Sequence, residues 1–258
     1  MGLNNIDDSK DGIGGDKMNL IDYSDIDISS LWNDYAETRN KGLKKIANVK
    51  LKKLVEYLES KTKEDKRMFV EYLCIERFEK GSIKHFQQPI LEGIILPVII
   101  EAVEHEEMPY LRWIYQLQLY SCCNYKNIEN IEYYNSEEIL VRANKIDPGD
   151  IKTIKLLLNM YIDRLWFGSH HLPEYILINE NEVNDLLNRV NQFIEKYESK
   201  IENTRSILED IKYYDDLYKS WFMYKSKNRN ISFREWCEEN EKSYYWVKAY
   251  YYDKRNRT

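Results

Sequence analysis

Cysteine is scarce in this chain of 258 residues, and none of the four cysteines forms a Cys-x-x-Cys pair. The spacings of zinc ribbons and dithiol redox motifs are therefore missing. Cys74, Cys122, Cys123 and Cys237, two of them adjacent, do not suit an ordinary disulfide framework. They read as reduced thiols packed as small hydrophobes, which fits a reducing compartment. Histidine is equally rare, at His85, His105, His170 and His171. Neighbouring His170 and His171 diverge in most backbone conformations, and no His pair sits at helical metal-ligand spacing. Neither a metal nor a cofactor is expected. Glycine-rich phosphate loops are missing too, since neither Gly-x-x-x-x-Gly-Lys nor Gly-x-Gly-x-x-Gly occurs. That argues against nucleotide-dependent catalysis.

Long apolar runs are also lacking. The most hydrophobic stretch, 90–103, is too short to span a bilayer and contains Glu92, Pro97 and Glu101. The first residues have no basic start and no apolar core of the kind a secretory leader needs. A cytoplasmic protein without membrane segments is expected.

What is present is helical periodicity, which predicts an all-α fold: a multi-helix bundle or irregular helical stack. Residues 1–17 are acidic, glycine-bearing and poor in apolar mass, and are expected to be disordered. Residues 18–30 are transitional, with Leu20, Ile21, Ile26 and Ile28 able to lie against a body. A single helical domain is expected over 31–258. Ser30 resembles the N-cap of its first helix, and Gly42 interrupts the pattern. Thr62 opens another helix, with Met68, Phe69, Tyr72, Leu73 and Ile75 on the apolar face. The stripe from Ile90 to Val103 covers nearly the whole cylinder, as in a central helix, and Pro97 should kink it. Asp147-Pro148-Gly149-Asp150 reads as a turn. Behind it, Ile154, Leu157, Leu158, Tyr161 and Leu165 predict a strong helix that Gly168 terminates.

The last 85 residues contain neither proline nor glycine. From Val183 to Phe222 apolar positions alternate by four and three, interrupted at Thr204 and Asp215. This heptad-bearing segment predicts one long helix or a helical hairpin broken near Glu202-Asn203-Thr204. It also offers a seam for a homodimer.

The densest cluster of polar and aromatic groups surrounds Gly168-Ser169-His170-His171-Leu172-Pro173. The candidate pocket comprises His170, His171, Asp163, Arg164, Trp166 and Glu174, with Arg112 and Trp113 as visitors from another helix. In an enzyme, His170 would act as base, oriented by Asp163 or Glu174, on Ser169 or a water. In a purely structural role, the imidazoles would cap the carbonyls of the preceding helix.

Charge adds two further readings. The net charge is −6, yet residues 1–30 carry −5 and residues 217–258 carry +5. Residues 231–252 resemble a helix-turn-helix in outline, with Ser232 and Ser243 as caps and Asn240 in a left-handed turn. Lys242, Lys248, Lys254 and Arg255 would then meet phosphates of DNA or RNA. The leading expectation is a non-enzymatic protein-interaction module, in its specific form an inhibitor or immunity-type partner of a basic protein. An acidic surface steers and neutralises such a target. The nucleic-acid regulator and the enzyme around His170 and His171 are the alternatives.

Overall fold

Asp25, not Ser30, opens the first helix of the computed structural model, which describes residues 17–119, 131–227 and 230–245. All regular elements of the described residues are helical. By internal contacts the chain divides into two compact units, Met1–Ile128 and Glu129–Thr258. Sequence periodicity carries no mark of this division, because both halves are built from amphipathic helices. The acidic segment 1–16 lies outside the described residues.

In the first unit, α1 (Ile26–Asn40) and α2 (Lys44–Glu59) form a helical pair. Gly42, at φ +76°, makes the turn between them. The Asp25 carboxylate caps α1 by accepting from the amides of Asp27 and Ile28 at 3.0 and 3.1 Å. Its other oxygen meets Lys61 at 2.8 Å. The Lys61 ammonium and the Ile28 amide hold the Asp25 carboxyl below the usual aspartate value. A depressed folded pKa contributes stability that is present above the unfolded pKa and lost as pH falls through the folded one. Asp25→Asn keeps a good cap but not the charge. It is expected to lower stability at neutral pH by at most about 1 kcal/mol. Urea unfolding of both proteins should give a difference that vanishes in acid. A difference unchanged at low pH would contradict this assignment.

Residues 18–23 run along α1 as a strap. Asn33 and Asn40, seven residues apart and so on one helix face, each pair with its backbone in both directions. Asn33 accepts from the Ile21 amide at 2.8 Å and donates to the Ile21 carbonyl at 2.9 Å. Asn40 does the same for Met18, at 2.8 and 2.9 Å. Trp32 Nε1 adds a bond to the Asn19 carbonyl at 3.1 Å. Of the four apolar residues expected to anchor this stretch, Ile21 and Ile28 are buried, while Leu20 and Ile26 are exposed.

α3 (Lys63–Cys74) starts at Thr62 as expected, the hydroxyl accepting from the Asp65 amide. Its inward face is rotated from the predicted one: Phe69, Val70, Leu73 and Cys74 are buried, whereas Met68 and Ile75 are exposed. A π turn over Ile75–Glu79 follows. The central apolar segment comprises α4 (Gln88–Ile90), a π turn over Leu91–Ile95 and α5 (Leu96–Glu104). The wider turn directly precedes Pro97, which has no amide to donate to the ladder. α6 (Tyr110–Gln116) packs on α5.

In the second unit, α7 (Ile131–Tyr134) and α8 (Glu137–Ile146) precede the turn at Asp147, whose carboxylate accepts from the Gly149 amide at 2.8 Å. α9 (Ile151–Ser169) is the strong helix the pattern predicts, but Gly168 does not end it. Gly168 is buried inside the last turn, where a Cβ would lie 2.3 Å from the Tyr218 hydroxyl and 2.5 Å from Ile178. The residue is required for close approach, not for a break.

α10 (Glu180–Tyr197) and α11 (Thr204–Ser226) contact each other and resolve the long heptad segment into a hairpin. Asn203, left-handed at φ +58°, redirects the chain at the predicted break. Leu208, on the expected seam, is exposed, while Ile207 is buried. α12 (Phe233–Glu239) begins with a capping box between Ser232 and Glu235. Phe233, Trp236 and Cys237 point inward as predicted, joining Leu172, Leu217, Trp221 and Tyr244 in one cluster. The left-handed residue after α12 is Glu241 (φ +54°), not Asn240. Asn240 instead donates its side-chain amide to the Trp236 carbonyl at 2.7 Å. The second helix expected after Ser243 lies mostly outside the described residues.

Candidate functional site

The end of α9 presents its histidines on the outside and its leucine on the inside. Leu172 is buried in the cluster of Trp221, Phe233 and Trp236 and so anchors the turn. The chain then folds back, and the Leu177 amide donates to the Gly168 carbonyl at 2.8 Å. A capping box between Asn179 and Glu182 starts α10 immediately afterwards. The loop is thus held at both ends and in the middle.

His170 is the C-cap of α9, and its Nδ1 lies 2.6 Å from the Phe167 carbonyl. Only a protonated Nδ1 donates to that acceptor, so the contact assigns the proton there. This is the helix-capping role weighed from the sequence. The ring also stacks on Trp166, with centroids 5.4 Å apart and planes at 25°. His171 follows at 4.0 Å, and Tyr175 stacks on His171 at 4.6 Å. Phe167 flanks His170 at 4.9 Å. The result is a ladder Trp166–His170–His171–Tyr175. Trp166, Phe167 and Tyr175 are 54%, 56% and 48% exposed.

Ser169 takes no part in it. Its hydroxyl is turned back onto the helix, donating toward the carbonyls of Trp166 at 3.0 Å and Leu165 at 3.2 Å. Asp163 and Glu174 are exposed. Desolvation raises the Asp163 carboxyl above the usual aspartate value. Arg164 is committed elsewhere: it meets Glu137 at 2.5 Å, as Arg189 does at 2.9 Å, and so ties α8, α9 and α10 together. Arg112 and Trp113 belong to the other unit. There both are buried, and both reach Glu79, the guanidinium at 2.9 Å and the indole N–H at 2.8 Å.

Of the residues proposed to contact nucleic acid, Lys242 is paired with Asp216 at 2.5 Å. Tyr244 is buried, its hydroxyl within 2.9 Å of the same carboxylate and 2.7 Å of Ser220. Lys248, Lys254 and Arg255 lie outside the described residues. So do Cys122 and Cys123, whereas Cys74 and Cys237 are buried free thiols. Burial pushes the Cys237 thiol up to about 11. Among the described residues, no three His, Cys, Asp or Glu side chains converge as metal ligands, and no helix is long and apolar enough to cross a membrane.

The chain matches no protein-family model, no curated protein and no solved structure. Its chemistry is therefore read from its own side chains.

Phe167 and Tyr175 were missed in the candidate pocket. The signal was available as spacing: Trp166 precedes His170 by four residues, and His171 precedes Tyr175 by four. Four-residue spacing brings side chains together on a helix or a helical turn.

Proposed function

We propose that the protein is a non-enzymatic interaction module acting in the cytoplasm, and that the ladder at the end of α9 docks a cationic segment of a basic protein partner. The observation that carries this reading is the exposed aromatic stack Trp166–His170–His171–Tyr175 on a pinned loop. Large aromatic side chains serve as binding anchors because they bury much area with few rotatable bonds. Stacking them beforehand lowers the ordering cost of association. The faces of Trp and Tyr attract Arg and Lys, by about 0.5–2 kcal/mol per contact.

Charge supports the same partner class. Asp163 and Glu174 add exposed carboxylates close in sequence to the rings. Residues 129–216 hold eighteen Asp and Glu against ten Lys and Arg. Such a field favours encounter with a cationic surface. An inhibitor or immunity-type role, in which this protein covers a functional surface of a basic target, fits that chemistry.

Binding to a short oligoarginine peptide, followed by calorimetry on the full chain, tests the reading. Wild type is expected to bind the peptide, more weakly as salt rises, and to ignore an oligoglutamate control. Trp166→Ala with Tyr175→Ala should weaken binding about tenfold while leaving the fold intact, because both side chains are half exposed. Equal binding by the double variant, or none by wild type, would remove the proposal.

A further inference from the structure

A second feature lies in the first unit and has no counterpart in the motifs of the sequence. A cavity of about 420 Å³ opens between the strap, the α1–α2 turn and the segment after α3. Its wall carries Lys17, Arg39, Lys44, Lys84 and His85 and, among the described residues, no Asp or Glu. That is a marked local inversion in a chain with 44 acidic and 38 basic residues. Among the described residues, Lys17, Arg39 and Lys44 have no carboxylate within ion-pair distance.

Helix stability accounts for only part of this. Arg39 sits in the last turn of α1, where a cation is favoured. Lys44 is the first residue of α2, the positive end of that helix, where a cation is disfavoured. The first turn of α2 contains no acid, and Leu43 supplies no side-chain cap. Gathering cations around one concavity raises their mutual repulsion, which a bound anion relieves.

The wall is also shaped for more than a simple ion. Asn40 is locked by its paired bonds to Met18. Asn19 donates to the Ser82 carbonyl, and the Ser82 hydroxyl reaches Glu76 at 2.5 Å. The polar groups of the rim are thus fixed before a ligand arrives. Met18, Ile83 and Trp32 add apolar lining. The volume falls within the range of small-molecule sites and exceeds what one phosphate needs.

We infer that this cavity binds a small oligophosphate, with Lys17, Arg39 and Lys44 as the principal charge partners. Strong charge-assisted bonds form between such side chains and phosphate oxygens. The ligand is either a bare phosphate chain or a nucleotide, which share that chemistry.

Calorimetric titration of the full chain with inorganic triphosphate and with ATP, at fixed ionic strength, tests the inference. Saturable binding of triphosphate is expected. Arg39→Gln with Lys44→Gln should weaken it by about tenfold or more. Lys45→Gln, one residue along and not part of the wall, should change it less than about twofold. ATP binding more tightly than triphosphate would place the base against the apolar lining, and equal binding would assign the phosphate chain alone. Absence of binding by wild type to both probes overturns the site. So does an equal loss in Lys45→Gln, which would mean that only diffuse charge is at work. Circular dichroism of the double variant, whose replaced side chains are not buried, checks that the fold persists.

Discussion

Gly168→Ala is expected to destabilise the second unit by about 2 kcal/mol, although alanine is the better helix former. In an open helical position the change would stabilise by up to about 1 kcal/mol. Here the added methyl meets the Tyr218 hydroxyl at 2.3 Å and Ile178 at 2.5 and 2.8 Å. Ile178 is only partly buried and can shift its side chain. Tyr218 cannot do so freely: it is 1% exposed, and its hydroxyl donates to the Leu165 carbonyl at 2.7 Å. Overpacking of this kind costs about 1–3 kcal/mol. At this size, about 2 kcal/mol lowers Tm by about 4–8 °C. Gly42→Ala provides the contrast. Nothing lies within 4 Å of its Cβ position, so its smaller cost, about 1 kcal/mol, comes from the positive φ alone. A thermal scan showing Gly168→Ala at or above the wild-type Tm would refute the close-approach account.

The largest loss is expected from Trp236→Ala, about 3–5 kcal/mol. Trp236 is 1% exposed and stacks on Phe233 with centroids 5.9 Å apart. Removing the indole opens a void in the cluster that holds α11, α12 and Leu172 together. Its N–H is buried without a hydrogen-bond partner among the described residues. Trp236→Phe deletes that orphan donor and keeps a ring, so it should cost only about 1 kcal/mol. Trp166→Ala, on the half-exposed ladder, should cost less than about 1 kcal/mol. Urea midpoints of the three variants check the order. If Trp236→Phe were as damaging as Trp236→Ala, the unpartnered indole would not be the reason for the difference.

Local chemistry was readable wherever neighbours in sequence decide it. Thr62 and Ser232 cap the helices they were expected to cap, because a capping bond spans only three residues. The hairpin break falls at Asn203, beside the polar interruption at Thr204, whereas the other interruption, Asp215, lies within α11 and breaks nothing. Reading failed where distant segments decide. Asp25 starts α1 earlier than Ser30 would, helped by Lys61 from 36 positions away. The face of α3 turns toward Val70 and Cys74 because the packing partners, not the stripe alone, choose among adjacent apolar residues. Gly168 resembled a helix stop because the sequence cannot show what passes over it. The ladder was half legible, through Trp166 and the histidines. The cationic cavity was not, because it joins residues near 18, 40 and 84 that no periodicity relates.

The asparagine clamps on the strap have a dynamic consequence. The backbones of Met18 and Ile21 are held by side chains of α1 and not by a strand ladder. The strap can therefore peel away in a sub-global opening that leaves every helix intact. Amide exchange at Met18 and Ile21 should run well ahead of exchange in the middle of α1. Peeling also carries Lys17 and Met18 away from the wall they share with Arg39 and Lys44. Any anion bridging both sides would have to be released first, so its occupancy would appear as slower exchange at those two amides.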